Sequence, residues 1–108
     1  MKNFIALIIV AIFSGNIFAN EEGRLEYRKN CMSCHGDGKK GAFMSTQDGW
    51  TALFDKNANA LKQKHEKSEA KSFFASENFS KNKQSMFEFL REYASDSGNV
   101  AGCGNSCE

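Results

Sequence analysis

The chain has no proline, only two histidines, one tryptophan and two tyrosines, and almost no net charge, with 14 basic residues against 13 acidic ones among 108. A polypeptide so close to neutral lacks the basic surplus that holds a phosphate backbone, which argues against nucleic acid as a partner. Long-range steering toward a strongly charged protein is weak for the same reason. No apolar run is long enough to cross a bilayer: the longest, residues 4–13, holds about ten residues where roughly 20 are needed. There is also no low-complexity tract and no internal repeat.

The apolar run that is present has a different meaning. Lys2 precedes it, residues 14–19 after it are small or polar, and Ala19 closes it, which is the layout of a secretory signal peptide removed after Ala19. We therefore expect a cleaved leader rather than an uncleaved anchor. Asn20 rather than a cysteine directly follows Ala19, so no lipidated terminus is expected. Export places the chain in the periplasm, where thiols are oxidised or derivatised rather than left free. Loss of Lys2 with the leader leaves 13 basic residues against 13 acidic ones. The expected divisions are a leader over 1–19, one domain over 20–99 and a tail rich in glycine and cysteine over 100–108. Cleavage leaves 89 of the 108 residues, marginal for a purely apolar core, so a bound group would help to fill the interior.

Apolar residues recur at helical spacing throughout, which predicts an all-α domain. A first helix is expected over 21–34, with Gly23, Tyr27, Cys31 and Cys34 on one face. The glycines of 36–41 should end it in a loop. A second helix should start at Ser45 or Thr46, either hydroxyl capping it, with Asp48 suiting its positive end. Its apolar stripe runs Phe54, Ala58, Leu61 and His65, so His65 is placed on the buried face. A short helix over 68–75 follows. The last begins near Ser80, carries Met86, Phe89, Leu90 and Tyr93 on one stripe, and stops at 96–99.

Residues 31–35 read Cys-Met-Ser-Cys-His, the spacing by which two thiols bond a haem and the adjacent imidazole binds its iron. Cys31 and Cys34 are the candidate thioether positions and His35 the candidate proximal ligand of one covalent haem c. The competing reading is a zinc site completed by Cys103 and Cys107. A redox-active dithiol is a further alternative, though no alternation of strand and helix surrounds the pair.

With this motif in place, the chain resembles the class I cytochrome c family over most of the mature domain. Members carry a glycine and an aromatic residue four apart on the first helix, matched by Gly23 and Tyr27. They carry a leucine and an aromatic three apart on the last, matched by Leu90 and Tyr93. The resemblance implies a small helical fold around the haem, with the first and last helices crossing closely at the glycine. It also implies an electron carrier rather than an enzyme, passing single electrons between redox proteins, here as a monomer with no membrane span. Two departures stand out. The proline that usually follows the proximal histidine is absent, leaving a carbonyl near Gly41 as a candidate acceptor for the His35 ring, and residues 73–79 lack the usual ligand methionine.

The sixth iron ligand must therefore come from elsewhere. His65 is the preferred candidate, because an unpartnered imidazole on an apolar stripe is costly. Met44, in the loop after the glycines, and Met86, on the last helix's core stripe, are the alternatives. An open sixth position would instead suit a small-ligand sensor or a peroxidase-like protein. Cys103 and Cys107 are close enough in sequence to form a disulfide that closes the tail, with metal binding or pairing to another chain as the other options. A non-haem disulfide or zinc module remains the reading in which no haem is bound.

Overall fold

Residues 17–102 are described by a computed structural model in which every regular element is a helix. The expected leader lies outside the described residues except for its last three, and so do Cys103 and Cys107. The order is α1 (Ile17–Asn30), α2 (Met32–His35), α3 (Gly38–Ala42), α4 (Gln47–Lys64), α5 (Lys71–Phe74) and α6 (Glu77–Glu92). Among the described residues, no helix is long and apolar enough to cross a membrane.

The first and last helices form the frame. Gly23 is buried where α1 meets α6, and a Cβ there would collide with the Ser85 carbonyl oxygen and the Phe89 side chain. Four residues on, the Tyr27 ring packs against Phe89 with centroids 5.9 Å apart. Arg24 lies over Phe89 and Tyr93, at 5.5 and 5.8 Å from the ring centroids. Its guanidinium also donates to the Gly102 carbonyl, drawing the end of the described chain onto this contact. Glu26, nearly buried, accepts from Asn30 and Asn78 at 3.1 Å each and so ties α1 to the first turn of α6.

Several boundaries differ from expectation. The first helix ends at Asn30, not at residue 34. Cys31 still donates its N–H to the Tyr27 carbonyl, but its φ of −121° leaves the helical region, and α2 restarts at Met32. The glycine-rich segment is not simply a loop, because Asp37 caps α3 by accepting from the Lys40 N–H at 3.0 Å. Ser76, accepting from the Phe79 N–H at 3.2 Å, starts α6 ahead of Ser80. Thr46 does cap α4, taking the Gly49 N–H at 3.0 Å.

The largest difference lies inside α4. Asp55 is extended (ψ 155°), and Lys56, Asn57 and Ala58 follow at φ 51°, 58° and 57°. Phe54 and Ala58 are thus not successive positions of one continuous stripe, although both are buried. Left-handed backbone costs L-residues about 1–2 kcal/mol each, with asparagine the most tolerant. Tertiary contacts hold the turn in place: Ala58 is fully buried, and Lys83 of α6 donates to the Asn57 side-chain oxygen at 2.6 Å.

These contacts lead to two expected outcomes in denaturant titrations. Gly23→Ala should lower stability by about 1–3 kcal/mol, as overpacked sites do. Lys56→Gly, at an exposed position, should raise stability by about 1 kcal/mol by removing one strained conformation; a neutral or lowered midpoint would refute strain at Lys56.

Candidate functional site

A half-open cavity of about 690 Å³ lies between the frame and α4, within the range of roughly 300–1,000 Å³ typical of cofactor and ligand sites. Tyr27, Cys31 and His35 line it from the α1–α2 corner, and Met86 and Leu90 from α6. Both halves of the broken α4 contribute, Trp50 and Phe54 before the left-handed turn and Leu61 and His65 after it. A straight α-helix of 18 residues would extend about 27 Å. The break lets both ends of α4 face one cavity.

Aromatic packing keeps the walls in place. The Trp50 indole donates to the buried Ala42 carbonyl at 2.9 Å, fixing α4 against α3. Phe54 meets Phe87 of α6 at 5.3 Å between centroids. Phe73, Phe74 and Phe79 contact one another at 5.0–5.6 Å, and Phe74 of this cluster lines the cavity.

The two histidines, 30 positions apart in sequence, meet in this cavity. Their ring centroids are 5.9 Å apart and their planes nearly perpendicular, at 80°. His35 ends α2, and His65 is the residue just beyond α4. The His65 Nδ1–H donates to the Leu61 carbonyl at 2.8 Å. A carbonyl can only accept, so this contact sets the tautomer and leaves the Nε2 lone pair available. Phe74 packs beside the ring, 4.6 Å between centroids and tilted by 34°. Metal-binding imidazoles are commonly held through their second nitrogen in this way.

Two imidazoles on opposite sides of one metal ion, bonded at about 2 Å each, place their ring centroids about 6 Å apart. The observed separation fits that span. Among the described residues no group of three or more His, Cys, Asp or Glu side chains converges as metal ligands.

The remaining candidates divide clearly. Cys31 is partly buried and lines the cavity. Cys34 is exposed and does not, so the two thiols do not share a buried face as a continuous helix would have arranged them. Burial, then the neighbouring Cys34 and Glu26, push the Cys31 thiol up to about 12. Met44 and Met86 both line the cavity, Met44 half-exposed at its mouth and Met86 buried within. The Gly41 carbonyl accepts from the Met44 N–H at 3.1 Å.

Tyr27, read from the sequence only as a helix-packing residue, lines the cavity and sends its hydroxyl toward the residues after His35. The available signal was chemical: a buried tyrosine, unlike phenylalanine, requires a partner for its hydroxyl. Compared with known proteins, the chain matches no protein-family model, no curated sequence and no solved structure.

A raised thiol is protonated, and therefore a poor nucleophile, throughout the neutral range. With both cysteines free, iodoacetamide at pH 8 should alkylate exposed Cys34 well before Cys31, as peptide mapping over time would record. Equal rates would refute the buried position of Cys31.

Proposed function

We propose that this chain is a periplasmic monohaem c-type cytochrome, acting as a monomer that carries single electrons between redox proteins. The observation that carries this reading is the pair of facing imidazoles, His35 and His65, 5.9 Å apart in a largely apolar cavity whose wall also bears Cys31. Cys31 and Cys34 would hold the haem covalently, and His35, adjacent to Cys34, would bind one side of the iron. His65 would bind the other through Nε2, its orientation set by the Leu61 carbonyl and Phe74. Haem c supplies a one-electron iron couple, and no substrate bond is broken.

The chain's own contribution is orientation and an apolar lining. Trp50, Phe54 and Phe74 make an apolar wall, which disfavours charge at the metal and tunes its potential. Two imidazoles without a thioether favour a lower potential than a histidine–methionine pair. Cys34 is exposed, so that attachment point would lie at the surface where a partner can approach. A sensor or peroxidase-like role would require an open sixth position. The defined tautomer and packing of His65 favour the electron carrier.

Expression with c-type maturation and a pyridine haemochrome assay should give one haem per chain; a colourless product would overturn the haem reading in favour of a disulfide or zinc module. His65→Ala should convert the six-coordinate low-spin spectrum to a high-spin one that binds carbon monoxide rapidly. An unaltered low-spin spectrum would remove His65 from the iron and redirect attention to Met44 and Met86.

A further inference from the structure

We propose that Tyr27 is the positioning residue for His35, its hydroxyl clamping the backbone immediately beyond the imidazole. That hydroxyl donates to the Gly36 carbonyl at 2.7 Å and also lies 3.2 Å from the Asp37 carbonyl. The Gly36 N–H donates to the Met32 carbonyl at 2.9 Å. The residue after His35 is thus held at both of its backbone polar groups.

The clamp acts on a segment with little stiffness of its own. Gly36 has φ +80° and Gly38 follows two positions on, so the unfolded chain has unusual freedom here. With no proline in the sequence, nothing covalent restricts the segment. Tyr27 itself is well anchored: it is 2% exposed, and its ring rests on Phe89 of α6. Gly41 passes so close that a Cβ there would collide with the tyrosine ring and hydroxyl, so α3 packs onto the same side chain. Phenylalanine would supply the same ring contact without a donor, taking the hydroxyl from the Gly36 carbonyl, while the Asp37 carbonyl would keep the Gly41 N–H at 2.9 Å. The orientation of the His35 ring consequently depends on a hydrogen bond from α1, eight residues upstream.

The part of this inference that concerns iron rests on the haem reading; the clamp itself does not. The test is Tyr27→Phe in the haem-loaded protein, with haem content and far-ultraviolet circular dichroism matching the wild type. Backbone amides over 36–41 should exchange with deuterium about tenfold faster. The ferric low-spin paramagnetic resonance signal should broaden or shift its g-values as the His35 plane loses its fixed setting. Unchanged exchange or an unchanged resonance signal would overturn the proposal, since a residue that only packs would move neither.

Should the variant fail to accumulate, proton NMR of the wild type decides instead. A Tyr27 hydroxyl proton protected from exchange, with cross-peaks to Gly36 and Asp37, is expected, and its absence would overturn the clamp. A wild type without haem would overturn the functional reading and the axial half of the inference, while the exchange result still judges the clamp.

Discussion

The close approach of α1 to α6 at Gly23 is the contact on which the rest of the structure depends. With no Cβ at that position, the Ser85 backbone and Phe89 can sit against α1. The neighbouring residues of α1 then reach their partners: Tyr27 meets Phe89, Glu26 reaches Asn78, and Arg24 lies over Phe89 and Tyr93. Separating the helices by a methyl group would disturb all of these together, because interiors packed at crystal-like density absorb added volume poorly. The α1–α2 corner, which carries Cys31 and His35, takes its position from this frame.

The opposite wall is built under strain. Three successive left-handed residues in α4 are unfavourable in isolation, and one buried alanine and one lysine–asparagine hydrogen bond help to hold them. In return, Trp50 and Phe54 on one side of the turn and Leu61 and His65 on the other reach the same cavity. Backbone held in sparsely populated conformations tends to occur where geometry serves a site. Here it precedes the segment that ends at His65, whose ring lies 5.9 Å from that of His35.

Hydrogen bonds from two tertiary layers then orient the pair. His65 is fixed by a carbonyl of the last turn of α4, a short-range contact set by the four-residue spacing. The segment after His35 is fixed by Tyr27, a contact across the helix corner. Both are bonds to backbone carbonyls, which restrict ring or chain orientation without adding charge to an apolar cavity.

Much of this was readable in the order of residues. Helical spacing identified an all-α chain, Thr46 marked the start of α4, and Gly23 with Tyr27 and the Met86–Leu90 stripe identified the faces that pack, because side-chain periodicity and capping are local properties. The Cys31–His35 motif and the apolar setting of His65 named the candidate site for the same reason. The interruption at Cys31, the Asp37 cap, the left-handed turn and the role of the Tyr27 hydroxyl were not legible, since each depends on partners distant in sequence or on competition between helix continuation and packing. The sequence by itself determined which residues could face a bound group. Only the tertiary structure decided that His35 and His65 face each other, because their separation is set by the α1–α6 contact and the break in α4, neither of which either histidine encodes.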